Sequence, residues 1–543
     1  MSSIRATEVL AALSLTTDLA TGMPFEKGLA TCLLATGLAE RIGLPDAERR
    51  AVFLAALLGA VGCTSRASEN AEAYADDIAF QRACHVLDPG DPGVFTAQLR
   101  RFGSWSPAAQ SALRNRFVAQ MPAGAPQQAL RSSCEIVRTF GSRLGLPNAA
   151  VRALTEVEER WDGLGAPEQL HGEAISLPGR ILHVAEQAVL ALDAVGQEPA
   201  TGHGDTSPSG IGHPADPAAE PDRPRAALGT IARRLHIVLA ELRRRAGGHL
   251  DPDLVAVCDA ALIREALDVP DLLAAVLAAE PGTPSSLPVE ELDRPSLALA
   301  MIVDLKGRYL LGHSAHVAGL AAAAATRMGV PADERAALRA AALLHDLGRA
   351  AVSSAVWDRG GPLGRADWKR VRLHSYWTER ILRRCPGLAD LAELAAGHHE
   401  RLDGSGYPRG RQDTSPASRL LAAADVFAAC TEARPYRPAA RPAEAAAHLG
   451  AEVTAGHLDG DACAAVIAAA EDRAHHAAHG LSDTEVDVLR LTARGRSGRE
   501  IAAELLLPER TVTHHLTELR GKTGQHTRAG AAVFAMSHQL LPG

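Results

Sequence analysis

Residues Ala341 to Arg349 read AALLHDLGR. An apolar, alanine-rich run of this kind favours helix. Gly348 predicts that the helix stops just after His345 and Asp346. An imidazole and a carboxylate side by side at a helix end can both ligate one divalent ion, or bridge two. Taken alone, a His-Asp dipeptide is more often a solvated helix end. The residues around it decide between the two readings.

From Asp293 to about Arg473 the chain reads as successive helices separated by Gly and Pro. His313 opens an Ala-rich helix in GHSAHVAGL, and His374 lies in RLHSYWTERIL after the loop GGPLGRAD. His398 and His399 end a helix in AAGHHERLDGSGYP. Asp425 sits in the apolar helix RLLAAADVFAA, where an unpaired carboxylate is costly. Each has a bland reading: His374 alone is a surface histidine, Asp425 half of a buried salt bridge. His316, one turn from His313, reads as a supporting or surface residue. The combination points to a metal site, because these helices each place a ligand type at an end or on one face.

An internal repeat supports that reading. Asp18 to Cys63 aligns without gaps onto Asp304 to Arg349, with about a third of positions identical. Both copies carry G-x-P-x-x-E-R and A-A-L-L. His345-Asp346 of the second copy is Gly59-Ala60 in the first, and His313 is Lys27. Glu159 to Pro167 (ERWDGLGAP) matches Glu400 to Pro408 (ERLDGSGYP), but His398-His399 becomes Val157-Glu158. The first copy keeps the scaffold letters and loses the ligand letters, so it is expected to be structural or regulatory and metal-free.

These features predict an all-α chain. A degenerate repeat spans 5–262, interrupted by a Pro/Gly/Asp-rich surface insertion at about 197–225. A connector follows at 263–294, then the ligand-bearing copy at 295–475, then a small four-helix domain at 481–543. Composition agrees with this: 47% of residues are apolar but only 3% aromatic, so the cores must be built from Ala, Leu and Val. The net charge of −8 argues against a chain-wide nucleic-acid surface while leaving room for a local one. The eight cysteines form no C-x-x-C pair and read as reduced thiols of a cytoplasmic protein. Neither a signal peptide nor a membrane span is expected.

The motifs GHS, LLHDLG, HHERLDGSGYP, ADVFAA and RPYR occur in that order between Pro295 and Arg473. This stretch resembles an HD-GYP domain, a subgroup of the HD phosphohydrolases. The resemblance implies a helical domain with two divalent ions, iron or manganese, acting on cyclic di-GMP or a related phosphoester. It implies the ligands His313, His345, Asp346, His374, His398, His399 and Asp425. Catalysis would fall to His345, Asp346 and Arg349. Substrate would be bound by Arg349, by Gly406, Tyr407 and Pro408, and by Arg434 and Arg437 approaching its phosphates. Two departures stand out. The family usually has Lys where this chain has Arg349, and Arg holds phosphate but does not donate a proton near neutral pH. Tyr309 stands where three-metal members carry Glu, which favours two ions.

After His475 to Gly480 a new pattern begins. Leu481 to Leu491 has a cap, an acid three residues on, and helical apolar spacing. Arg499 to Leu506 reads as a short helix, Pro508-Glu509 as a turn, Arg510 to Lys522 as a third helix, and a fourth lies near Arg528 to Ser537. This is a helix-turn-helix pattern, and the segment resembles the LuxR type along its whole length. The resemblance implies a homodimer that reads DNA through Arg510, Thr511, Thr513, His514 and Lys522. Thr513 replaces a common Lys, which removes one phosphate contact. The combined expectation is a transcription regulator with a metal-dependent phosphodiesterase module. The alternatives are a non-catalytic nucleotide or metal sensor, and a phosphohydrolase whose tail only docks.

Overall fold

The computed structural model describes residues 4–85, 125–196, 231–412, 414–473, 481–538 and 540–541. The predicted insertion at 197–225 lies outside the described residues. As predicted, nearly all regular structure is helical. The exception is a two-stranded antiparallel ribbon that pairs Ile4–Arg5 (β1) with Ser286–Leu287 (β2). It ties the start of the chain to the connector.

The first half contains α1 (Ala6–Ala20), α2 (Lys27–Arg41), α3 (Asp46–Leu57), α4 (Ala67–Tyr74), α5 (Asp77–His85), α6 (Ala125–Leu144), α7 (Asn148–Thr155), α8 (Leu177–Gly196) and α9 (Ile231–Arg245). Short helices α10 (Pro252–Val257) and α11 (Ala260–Leu267) lead out of the first repeat, and α12 (Leu272–Ala279) lies in the connector. Each is capped by an aspartate at its N-terminus: Asp251, Asp259 and Asp271. The second half runs through α13 (Asp293–Asp304), α14 (His313–Arg327), α15 (Ala332–Leu344), α16 (Ser354–Trp357), α17 (Arg365–Arg384), α18 (Ala389–Ala396), α19 (Pro416–Thr431), α20 (Pro442–Thr454) and α21 (Gly460–Arg473).

The repeat read in the sequence recurs as shared construction. Asp18 accepts the Gly28 N–H, and Asp304, at the matching position, accepts the Ser314 N–H, both at 3.2 Å. Glu159 accepts the N–H groups of Glu168 and Leu170, and Glu400 those of Arg409 and Arg411. Gly406 has no substitute in this turn, since a Cβ there would lie 2.4 Å from the His399 carbonyl.

The cores are built largely from Ala and Leu, as the low aromatic content requires. One apolar cluster runs from α1–α3 through α8 and the connector into α13 and α15. A second fills the space between α14, α19 and α21. The C-terminal domain has its own small core, formed by α22 (Asp483–Ala493), α23 (Gly498–Glu504), α24 (Glu509–Thr523) and α25 (Arg528–Ser537). Ser482–Glu485 and Ser497–Glu500 form reciprocal capping boxes that start α22 and α23. Ala529, Ala532, Val533 and Met536 of α25 join the large cluster of the first half. Among the described residues, no helix is long and apolar enough to cross a membrane.

Candidate metal centre

The helical scaffold brings together every ligand position singled out in the sequence. His313 is the first residue of α14, and His345 caps the end of α15 with Asp346 next to it. His374 comes from the middle of α17, His398 and His399 from the turn after α18, and Asp425 from α19. Most of these side chains are fully buried, and His399 is partly so. Gly348 permits the convergence, because a Cβ there would sit 1.9 Å from the His374 carbonyl.

The atoms fall into two groups, His313–His345–Asp346 and His374–His398–His399. Asp346 stands between them. Its Oδ2 lies 2.9 Å from His345 Nε2 and 3.6 Å from His313 Nε2. Its Oδ1 lies 3.4 Å from His374 Nε2 and 3.7 Å from His398 Nε2. Asp425 also faces both groups: Oδ1 is 3.2 Å from His313 Nε2, and Oδ2 is 3.8 Å from His399 Nδ1.

Backbone contacts set which ring nitrogen faces inward. His345 and His398 donate from Nδ1 to the carbonyls of Ala342 (2.7 Å) and Ala395 (2.8 Å), and His374 does so to Val371. Each Nε2 is thereby left directed at the centre. Burial pushes His374 down to about 4 and His398 to about 3, so both imidazoles are neutral and fit for coordination at neutral pH. His313 behaves differently. Burial pushes it down, but Glu432 and Asp425 outweigh that and lift it to about 9.

The donor set fits divalent ions on one further observation. His345 Nε2 and both oxygens of Asp346 are buried without any hydrogen-bond partner among the described residues. Their mutual approaches are close but misaligned, as expected of atoms aimed at common points rather than at one another. Nitrogen and carboxylate donors without thiolate suit borderline and hard ions.

Around this centre the other predicted residues take different places. Arg349 Nη1 lies 2.7 Å from Asp346 Oδ2, and its guanidinium stacks over Trp357 at 5.4 Å. Burial pushes the Asp346 carboxyl up, but Arg349 and His345 together hold it well below the usual carboxylate range. Tyr407 lies against His399, with ring centroids 4.6 Å apart. Gly406 and Pro408 flank it in the same loop. Arg434 pairs with Glu432 at 3.1 Å and donates to the Tyr309 carbonyl. Arg437 is committed elsewhere: its terminal nitrogens donate to the carbonyls of Ala429, Cys430, Glu432 and Pro438, closing the end of α19.

The sequence reading missed Glu432. It accepts from His313 Nδ1 at 2.8 Å and from His316 Nδ1 at 3.0 Å, which gives His316 its supporting role. Its position beside RPYR was the available signal. In the first half the corresponding centre is filled by charge. Lys27, at the His313 position, bonds Glu186, which matches Asp425 when Arg180 is aligned on Arg419.

In the C-terminal domain, α24 presents Arg510, Thr513, His514 and Lys522 to solvent, with Thr511 partly covered. Lys522 bonds Glu485 at 2.6 Å.

The chain is similar to known proteins over most of its length. Residues 127–197 and 298–462 match the HD domain family, and residues 479–535 match the luxR family of bacterial regulatory proteins. The 3'3'-cGAMP-specific phosphodiesterase 3 of Vibrio cholerae is 28% identical over 445 residues, covering 80% of this chain and 87% of the relative. A cyclic di-GMP phosphodiesterase of Pseudomonas aeruginosa is 35% identical over 153 residues, 27% of this chain and 37% of that protein. A crystal structure of a cyclic GMP-AMP specific phosphodiesterase from V. cholerae shares the fold, with a TM-score of 0.55 at 23% identity, over 87% of this chain and 98% of that one.

Proposed function

Given that the chain is an HD-domain protein carrying a C-terminal LuxR-type DNA-binding domain, we propose that it is a transcription regulator whose second half hydrolyses a cyclic dinucleotide at a two-ion centre. The observation that carries this reading is Asp346. It turns one oxygen to each of two histidine groups, pairs in charge with Arg349 through Oδ2, and makes no well-aligned hydrogen bond. The proposed ligands are His313, His345, Asp346, His374, His398, His399 and Asp425, with iron or manganese as the ions. A pair of such ions supplies a water of lowered pKa and positive charge for the phosphate oxygens.

The protein's own part is orientation and charge. His345, His374 and His398 are aimed by backbone carbonyls, and burial keeps His374 and His398 neutral. Glu432 fixes His313. Arg349 reaches the centre from over the Trp357 ring, and its fixed positive charge grips a phosphate oxygen. Arg434 sits beside the same centre and is the second phosphate-binding arginine of this reading. Arg437, spent on main-chain carbonyls, supports the loop. Burial raises the Tyr407 hydroxyl, which stays protonated and available as a donor. Homodimers reading two DNA half-sites complete the proposal.

Arg349 also favours a second reading, a sensor that binds nucleotide without cutting it, because arginine does not donate a proton to a leaving alkoxide. Metal content and cyclic-dinucleotide turnover distinguish these readings. The chain should carry stoichiometric metal, lost in a His345→Ala/Asp346→Ala double variant together with turnover. Metal without turnover, with turnover appearing in Arg349→Lys, would select the sensor. Absence of metal from the purified chain would refute both.

A further inference from the structure

The first half has lost its own ligands, yet one of its carboxylates reaches into the frame of the second. Asp77 opens α5 and is 1% exposed. Its Oδ2 lies 2.6 Å from Nζ of Lys306, which is completely buried. Its Oδ1 accepts the Ser353 hydroxyl and the Ser354 N–H, both at 2.8 Å, and its Oδ2 accepts the Ser354 hydroxyl at 3.2 Å. Every strong acceptor direction of this carboxylate is therefore used on the second half.

The groups it holds lie at both sides of the metal centre. Lys306 begins the loop that ends at Gly312, directly before His313. Ser353 and Ser354 start α16, which carries Trp357. That ring covers Arg349 at 5.4 Å and meets His374 edge-on at 6.3 Å. One carboxylate thus sets the entry to a ligand and the shelf beneath the arginine. The repeat does not explain this contact. In the gapless alignment Lys306 corresponds to Ala20, and continuing the same offset sets Asp77 against Leu363. The pair belongs to the junction between the halves.

We propose that Asp77 is a positioning residue of the metal centre, supplied by the half that has lost its ligands. Through Lys306 it fixes His313, and through Ser353 and Ser354 it fixes Trp357 and with it Arg349. The proposal rests on the metal-centre reading given above. Partners that hydrogen-bond a metal's ligands change its affinity by roughly 10–100-fold when removed, and Asp77 stands one contact further out, so the low end of that range is expected.

The test uses the full chain, with Mn2+ as the probe. Affinity is read by titration, and the environment of the bound ion by electron paramagnetic resonance. Asp77→Asn leaves the Lys306 ammonium buried without its counter-charge and is expected to lower thermal stability as well as Mn2+ affinity. The deciding variant is Asp77→Asn/Lys306→Met. It removes both charges, keeps the stem of Lys306 as apolar volume, and retains an acceptor for the two serines. It is expected to melt near the wild type while binding Mn2+ about tenfold more weakly with an altered resonance spectrum. Wild-type affinity and spectrum in the double variant would overturn the positioning of His313 by Asp77 through Lys306 and leave the metal centre standing. A wild-type chain that binds no Mn2+ would overturn the metal centre itself.

Discussion

Replacing Lys27 by Met tests whether a fixed cation holds the first half together at the position that matches His313 of the proposed metal centre. Lys27 and Glu186 are 7% and 9% exposed, and their side chains are bonded to each other. Burial pushes the lysine down, but Glu186 more than compensates and raises it, while Lys27 in turn keeps Glu186 below the usual carboxylate range. Removing one member leaves the other charged and desolvated, which costs about 3–5 kcal/mol. The core around the pair runs across both halves, so each kcal/mol moves the melting temperature by at most roughly 2–4 °C. A fall of up to about 6–20 °C is therefore expected. Adding Glu186→Leu removes the stranded carboxylate and should restore most of the loss. The sign of the pH dependence is also fixed. A depressed carboxylate contributes stability above its unfolded pKa and loses it as pH falls through the folded value. The gap between wild type and Lys27→Met is thus largest near neutrality and narrows in acid, where Glu186 of the variant takes up a proton. A loss under about 1 kcal/mol, or a double variant as unstable as the single, would show that the pair carries little of the structure.

Two further outcomes follow from single groups. Burial raises Asp18 from 3.8 to about 7 against the pull of Lys27. The folded state therefore keeps a proton that the unfolded chain releases, and stability falls as pH rises through that window, by at most about 4 kcal/mol. Asp18→Asn should flatten this slope in melting temperatures taken between pH 4 and 8; a slope equal to the wild type would refute the assignment. In the DNA-binding domain, Thr513 lies exposed on α24. Thr513→Lys should tighten binding to any duplex and steepen the log–log salt dependence by about 0.9, measured by fluorescence anisotropy. An unchanged slope would place that position away from phosphate.

The residues that converge at the proposed metal centre were legible because metal chemistry accepts few side chains and because Gly and Pro mark the helix ends that carry them. The sister copy sharpened the reading by showing which letters could be lost while the scaffold survived. Glu432 was not legible as the support for His313, since nothing in sequence spacing joins residues that meet only when α14 and α19 pack together. The same applies to Arg437. An arginine in RPYR carries the same charge whether it faces a phosphate or closes a helix end, and only the carbonyls around it distinguish the two. The Lys27–Glu186 pair lies between these cases. The change from His313 to Lys27 was visible, but the pairing of that ammonium required Glu186 to be seen opposite it. Asp77 was beyond reach, because a contact absent from the repeat leaves no internal echo.

The packing of the C-terminal domain bears on how a change at the centre could reach DNA. Arg528, at the start of α25, bonds Glu69 of α4 and the Ser65 carbonyl, and the His526 N–H bonds Glu135 of α6. The body therefore holds the reader by its fourth helix, while Thr513 and His514 on α24 stay open to solvent. Uncovering the recognition helix is not a step this arrangement requires. The path it offers is shorter. Met536 and Leu541 pack on Gly312, directly before His313, and Arg308 of the same loop bonds Glu72 of α4. One loop thus touches a proposed metal ligand, the faded half and the reader. Contacts between α25 and the loop that leads to His313 are therefore already made, and the first half is joined to both.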